Sequence, residues 1–306
     1  MSVYGMFTSK GPSGFGYRST AEQVTEGLSL KGKMILLTGC NSGLGFETAR
    51  VLTMRGATVI GTARTLEKAE AASKSVKGKM LPLECELSEP LSVRACIESV
   101  MRGGIKLDAL ICNAGIMALP KLETIYGFEK QFFTNHIGHF ILVTGLLDQL
   151  AAEGRVVMLS SAAHKMAPKG GIEFDNLDGG KRYTPWGAYG QSKFANLLFA
   201  KELAKHLAGT KQTANAVHPG VINTNLSRHM GSAARIASSV IGPLAWKSIP
   251  QGAATQTYVA VHPDIAGVSG EYFADCNVAK SRPDAEDAGL AKKLWEVSEE
   301  IVAGVV

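Results

Sequence analysis

The chain has 306 residues, 45% of them hydrophobic and 19% charged, a balance that suits a folded domain with a sizeable core and excludes a disordered chain. Its net charge of +5 contains no run of five or six like charges, so no nucleic-acid surface is expected. Five cysteines (Cys40, Cys85, Cys96, Cys112, Cys276) form no CxxC pair and are odd in number, which argues against a disulfide framework or a structural zinc, and no apolar stretch reaches the ~20 residues a bilayer needs.

The opening MSVYGMFTSKGPSGFGYR has no continuous apolar core and does not read as a secretory signal, so residues 1–30 are expected to form an irregular arm on the surface. From Lys33 onward, short apolar runs alternate with segments of helical period. MILLTG (34–39) reads as a strand running into glycines, and GLGFETARVLTMRG (43–56) as a helix closed by Gly56. TVIGTAR (58–64) is a second strand, TLEKAEAASKSV (65–76) a helix, and KMLPLECEL (79–87) a third strand in spite of Pro82. SEPLSVRACIESVMR (88–102) reads as a helix capped by Ser88, with Pro90 in its first turn. LDALICNAG (107–115) is a strand, followed by a long helix over 129–150 and a strand over RVVMLSSAA (155–163). After a loop, GAYGQSKFANLLFAKELAKHLAG (187–209) is a helix ended by Gly209. TANAVHPG (213–220) is a strand, QGAATQTYVAVH (251–262) a helix and GEYFADC (270–276) a last strand.

Alternation on this scale implies parallel strands with right-handed crossovers and helices on both faces. The expected fold is therefore α/β: a three-layer, Rossmann-type doubly wound parallel sheet, with no linker inside 31–303 and hence a single domain. Such sheets bind ligands at the carboxyl ends of their strands, where the following motifs fall.

Thr38-Gly39-Cys40-Asn41-Ser42-Gly43-Leu44-Gly45 follows the first strand and opens the first helix. Glycines there let backbone N–H groups approach a pyrophosphate, and the helix N-terminus adds favourable partial charge. Glycines in such a turn can also be purely structural, but the strand before and the helix after are the context a dinucleotide site needs. The second strand ends Thr62-Ala63-Arg64, with no acid to accept from ribose hydroxyls. Arg64, with Lys68 four residues on, suits the 2′-phosphate of NADP, unless both are ordinary surface cations.

Tyr189 and Lys193 form YxxxK on one face of a helix, between a strand ending Ser160-Ser161 and one ending Pro219-Gly220. A nearby ammonium favours the ionised phenol, so the Tyr189 pKa is expected to fall from ~10 toward working pH. Asn135, in the apolar FFTNHIGHF, must have its hydrogen bonds satisfied if buried. His136 and His139 lack metal partners at sensible spacing and read as core or packing histidines; no metal is expected.

The TGxxxGxG spacing, Asn113-Ala114-Gly115, Ser161, YxxxK and Pro219-Gly220 resemble the classical short-chain dehydrogenase/reductase family over about residues 20–300. STAEQVTEG, NHIGHF, NAVHPG, QGAAT and LWEVSEE are similar to its retinol-dehydrogenase-like branch, as is the long gap between Ser161 and Tyr189. The resemblance implies an NADP(H)-dependent oxidoreductase interconverting a carbonyl and an alcohol. It implies cofactor contacts from Gly39, Asn41, Ser42, Gly43, Leu44, Gly45, Arg64, Asn113, Ala114, Gly115, Tyr189, Lys193, Pro219, Gly220, Val221 and Thr224. It adds Glu86 and Leu87, where the family usually has Asp-Leu facing the adenine. Tyr189 would be the general acid/base, tuned by Lys193; Ser161, with Ser160 as the alternative, would bond the substrate oxygen; Asn135 would support a water linking Lys193 to solvent.

A substrate lid is expected over about 222–250, whose SSVIGPLAW portion suggests an apolar carbonyl or alcohol, a partner-facing surface or simple burial. The resemblance also implies a homo-oligomer, formed through the helices at 129–150 and 187–209. Cytoplasmic location is the default, with peripheral-membrane or organellar association as alternatives. The STAEQVTEG arm is similar to that of the translocon-associated dehydrogenases of chloroplast envelopes. Two other functions compete: an NADP(H)-binding regulatory or redox-sensing protein acting through a partner, and an epimerase or dehydratase sharing YxxxK. The intact Ser161, Tyr189, Lys193 and Asn135 favour an enzyme over the first, and the glycine spacing and length favour a dehydrogenase over the second.

Overall fold

The computed structural model describes residues 9–222 and 246–305. Among them, β1 (Met34–Thr38) lies inside an eight-stranded sheet and is buried on both faces, as a run of Met, Ile and Leu without polar alternation requires. To one side come β2 (Thr58–Ala63) and β3 (Met80–Glu84). To the other come β4 (Leu107–Cys112), β7 (Leu150–Leu159), β8 (Thr213–His218) and β9 (Tyr272–Ala274), all parallel. The short β10 (Asn277–Val278) adds an antiparallel edge, and β5 (Thr124–Ile125) with β6 (Phe128–Glu129) makes a separate hairpin. This is the parallel three-layer sheet expected.

Side chains of one strand alternate between two cores. Leu36 of β1 packs with α3 (Pro90–Arg102), α5 (Pro185–His206) and α7 (Ala288–Val305). Ile35 and Leu37 pack with α1 (Gly43–Met54), α2 (Leu66–Ser75) and α6 (Ile249–Val261). The chain crosses from β3 over the sheet to β4, so the order of strands reverses between β1 and β4. The crevice above that reversal is where an open α/β sheet binds ligands.

Several boundaries differ from expectation for local reasons. β3 stops at Glu84, and Pro82 is accommodated because β3 is the sheet edge. The Cys85 N–H donates to the Ala63 carbonyl, so alternation turns the nitrogen of Pro82 outward, where no donor is needed. Ser88 is not a helix cap. Its hydroxyl donates to Glu86, and α3 starts at Pro90 with no side-chain cap. β7 begins at Leu150, five residues before the predicted start. α5 begins at Pro185 behind the Thr184 cap. The long helix α4 is three pieces: Lys130–Phe132, a π-helical Phe133–Ile137 and Gly138–Leu146. The last predicted strand is shorter, because Asp275 and Cys276, both at positive φ, turn the chain into β10.

One expectation is corrected by packing. Residues 9–30 are irregular but not superficial: Ala21, Val24 and Leu30 are buried in the core beside α1 and α6, and the Ala21 N–H donates to the Pro250 carbonyl. The central stretches of two helices pack within the chain. Residues 131–143 of α4 and 189–200 of α5 are all buried. From α7, Trp295 meets Phe140 edge-on at 5.0 Å and stacks on Phe199 at 5.5 Å and His206 at 4.1 Å.

Candidate cofactor cleft and active site

The glycine loop rises from β1 into α1 and is pinned to β2 by the Cys40 N–H on the Thr62 carbonyl, 2.9 Å. Gly39 makes the turn, Asn41 and Ser42 form an exposed rim, Gly43 opens α1, and Leu44 is buried below. Gly45 is demanded by close approach: a Cβ there would lie 2.1 Å from the Gly39 carbonyl oxygen and 2.6 Å from Asn113 Nδ2. Asn113 and Ala114, after β4, face this loop. Asn113 Nδ2 donates to the Thr38 carbonyl at 2.8 Å, and the Ala114 N–H donates to Thr38 Oγ1 at 3.0 Å. Gln256 of α6 steadies Asn113 from behind, its Nε2 donating to Asn113 Oδ1 at 3.2 Å.

Arg64 is exposed after β2 and has no hydrogen bond or ion pair among the described residues. The nearby Glu84 carboxylate is occupied instead by the Leu66 N–H. Lys68 lines a groove with Asn41, Phe46, Ala71, Ala72 and Ser75, between the glycine loop and α2. A glycine cradle at a helix N-terminus, with an unpaired guanidinium nearby, fits a dinucleotide bearing phosphates. Glu86 and Leu87 also have structural employment. Glu86 Oε1 accepts from the Ser88 N–H and hydroxyl, and Leu87 is buried so tightly that a Cβ on Gly138 would meet its carbonyl oxygen at 2.2 Å.

Across the cleft, α5 presents Tyr189 and Lys193 from successive turns, the ammonium 5.8 Å from the ring centre. Lys193 Nζ donates to the Leu159 carbonyl at 3.0 Å. At the end of β7 the two serines separate. Ser160 Oγ donates to the Lys193 carbonyl at 2.7 Å, while Ser161 Oγ accepts from the Ala163 N–H at 3.1 Å and lies near enough to the Tyr189 phenol to favour its ionised form. The loop that follows contains two short 3-10 turns, Ala162–Met166 and Phe174–Asn176. Asn135 comes from the π segment of α4. Its Oδ1 accepts from the Ile116 N–H at 2.8 Å, and its Nδ2 donates to the Ile116 carbonyl and to Ser192 Oγ, both at 2.9 Å. Gly115 lets this wall close: a Cβ there would lie 2.9 Å from Asn135 Oδ1 and 3.3 Å from Lys193 Nζ. Asn135, Ser161, Tyr189 and Lys193 thus converge beside the Asn113-Ala114-Gly115 turn.

One expectation fails here. Burial pushes the Tyr189 phenol up to about 12, against the opposing hydrogen bond from Ser161. Lys193 is itself lowered to about 8 by burial. The ammonium lies over the ring and bonds a carbonyl, so in this state desolvation outweighs its pull on the phenol.

Pro219 and Gly220 follow β8, and the Val221 carbonyl accepts from the Lys247 N–H at 2.9 Å, so the chain returns at residue 247 to where it left. Thr224 and residues 223–245 of the predicted lid lie outside the described residues. Lys247, which the motifs did not flag, is buried, with its ammonium 2.5 Å from Asp275 Oδ1 and 5.1 Å from the Tyr17 ring centre. Thr38 was also missed; its position just before the first glycine was the available signal. Among the described residues no cluster of three or more His, Cys, Asp or Glu could hold a metal, and all five cysteines are free and buried. No described helix is long and apolar enough to cross a membrane.

Comparison with known proteins agrees with this geometry. The family model for short chain dehydrogenases matches residues 33–174 and 176–234. Short-chain dehydrogenase TIC 32 B, chloroplastic, of Brassica napus is 46% identical over 318 residues, which cover 99% of this chain and 99% of that protein. Retinol dehydrogenase 13 of Homo sapiens is 40% identical over 286 residues, 90% of this chain and 86% of that one. Among solved structures, an uncharacterised protein from Mycobacterium paratuberculosis superimposes with a TM-score of 0.75 at 35% identity, covering 92% of this chain and 97% of that chain.

Proposed function

The chain belongs to the short-chain dehydrogenase family and is an oxidoreductase of its retinol-dehydrogenase-like branch; from that premise we propose that it interconverts an apolar aldehyde or ketone and the corresponding alcohol with NADP(H). The observation that carries the proposal is the convergence of Ser161, Tyr189, Lys193 and Asn135 at the strand ends that face the glycine loop.

The glycine loop, Gly39 to Gly45, would hold the pyrophosphate at the N-terminus of α1, with Arg64 and Lys68 on the 2′-phosphate. Glu86 and Leu87 would flank the adenine, and Asn113, Ala114, Gly115, Pro219, Gly220, Val221 and Thr224 the nicotinamide half. NADP(H), when bound, supplies or accepts hydride. In the reducing direction Tyr189 gives its proton to the carbonyl oxygen, while Ser161 donates a second hydrogen bond to it. We assign to the Lys193 ammonium the stabilisation of the phenolate left behind once the proton has moved. We assign Asn135 to the relay that returns a proton from solvent through Lys193.

An apolar substrate is supported by Trp186, which stands edge-on to Tyr189 at 6.1 Å and is partly exposed, and by the retinol dehydrogenase relative. We assign the stretch 222–250 to the substrate lid. The chloroplastic relative favours an organellar over a cytoplasmic location.

The test is to mix purified protein with NADPH or NADH and a panel of apolar aldehydes and ketones, following cofactor absorbance, with Tyr189→Phe as control. NADPH-dependent turnover that collapses in the variant is the expected result. Tight NADPH binding without turnover on any compound would favour the regulatory reading instead.

A further inference from the structure

His139 lies one helical turn beyond Asn135, just after the π segment, and is fully buried. Its Nδ1 is 2.9 Å from the Asn135 backbone carbonyl oxygen, and its Nε2 is 3.0 Å from Thr38 Oγ1, a residue 101 positions away in sequence. The directions of these bonds are fixed by their partners. A carbonyl oxygen only accepts, so Nδ1 carries the proton. Thr38 Oγ1 accepts from the Ala114 N–H, which leaves its own proton for Nε2. A neutral ring with its proton on Nε2 would instead set the Nδ1 lone pair against the carbonyl oxygen. Burial, with the Lys193 ammonium nearby, lowers His139 to about 4, so the ring is neutral at working pH.

The two ends of this bridge are different parts of the site. Thr38 holds Asn113 and Ala114, the floor assigned above to the cofactor. Asn135 braces Ile116 and Ser192, and Ser192 Oγ donates to the Tyr189 carbonyl at 2.8 Å, so Asn135 sets the wall that carries the acid/base. His136, by contrast, bonds Ser298 of α7 on the far side, 2.8 Å away, and is a packing residue as its neighbours in sequence suggest. The two histidines of the same motif therefore do different jobs.

We propose that His139 is a positioning residue of the active site, held as the Nδ1–H tautomer, which couples the cofactor floor at Thr38 to the catalytic wall at Asn135. The functional part of this rests on the oxidoreductase reading; the tautomer does not. Loss of the Asn135 link displaces the wall and lowers kcat. Loss of the Thr38 link loosens the floor and raises the KM for NADPH.

Two substitutions separate the links. His139→Asn sets an amide nitrogen where Nδ1 lies and keeps the Asn135 bond, while His139→Gln sets its amide oxygen where Nε2 lies, accepts from Thr38 Oγ1 and keeps that contact. The Asn variant is expected to hold kcat within about threefold and raise the NADPH KM about tenfold, as should Thr38→Val. The Gln variant is expected to lose kcat about tenfold with the KM little changed. Equal effects on both constants in both variants, or no effect in either, would overturn the coupling. Independently of turnover, ¹⁵N spectra of the histidine rings in the substrate-free wild-type protein should show His139 as the Nδ1–H form at neutral pH; an Nε2–H or doubly protonated ring overturns the assignment. A wild type without turnover on any carbonyl, but with the Nδ1–H ring, would defeat the oxidoreductase reading and the kinetic role while leaving the bridge intact.

Discussion

Ser160 and Ser161 are adjacent at the end of β7 and serve different partners: Ser160 Oγ is buried against the Lys193 carbonyl at 2.7 Å, and the Ser161 hydroxyl meets the Tyr189 side chain. The substitutions Ser160→Ala and Ser161→Ala should therefore fail in different ways. The first removes a buried hydrogen bond and should cost about 1 kcal/mol of stability with a modest effect on rate. The second should lower kcat by about 10²-fold or more and leave the denaturation midpoint nearly unchanged. Urea melts and initial rates on both variants decide; a reversed pattern would make Ser160 the substrate ligand.

Lys193 predicts a pH limit. Burial holds its folded value at about 8, below the ordinary lysine range, so the ammonium is lost as pH rises through about 8. Carbonyl reduction, measured as kcat/KM against pH, should decline above that point. Lys193→Arg keeps its charge throughout and should remove the decline, at a lower rate because the guanidinium does not fit the ammonium's site on the Leu159 carbonyl. A decline that persists unchanged in the arginine variant would assign it to another group.

Arg64 predicts cofactor choice. An exposed guanidinium without a partner among the described residues is free to take a 2′-phosphate. A hydrogen bond to a charged group contributes roughly 1.5–3 kcal/mol, so Arg64→Ala should raise the KM for NADPH by about 10–100-fold and barely move that for NADH. Lys68→Ala should do the same more weakly. Equal changes for both cofactors would place Arg64 outside the 2′-phosphate site.

Two buried histidines predict acid sensitivity. Burial lowers His136 to about 3 and His139 to about 4, whereas in the unfolded chain both titrate near the ordinary ~6.5. Between those values the unfolded chain binds more protons, so stability is fully present above about pH 6.5 and is lost as pH falls toward 4. These two sites together contribute a slope of about 2.5 kcal/mol per pH unit near pH 5. Urea unfolding at a series of pH values measures it, and His136→Phe should lower the slope by about 1.3 kcal/mol per pH unit near pH 5.

The order of strands and helices was legible because each short apolar run is bounded by glycines or cap residues, and parallel pairing follows from the alternation. Ser161, Tyr189, Lys193 and Asn135 were legible through motif spacing, and the structure does bring them together. Other features depend on contacts that spacing does not carry. The tyrosine's environment follows from how much of the fold closes over it, which reverses the direction expected from Lys193 alone. The Thr38–His139 bridge joins residues 101 apart and has no local signature. Ala21 and Val24 look like part of a polar arm, STAEQVTEG, until α6 is laid against them. The same holds for α7: its helical period shows an apolar face, but not that Phe140 and Phe199 are what it covers.

That last helix has a consequence for how the molecule is made. Phe140 and Phe199 leave the ribosome well before Trp295, which begins to cover them only when translation has passed residue 295. At about 5–20 residues per second, the interval from residue 199 lasts roughly 5–20 seconds. Throughout it a nascent chain carries an aromatic stripe open to chaperones, or to the same stripe on a neighbour along the polysome. A message broken before the codons of α7 yields a chain that never hides it, so one late helix decides whether the stripe stays open.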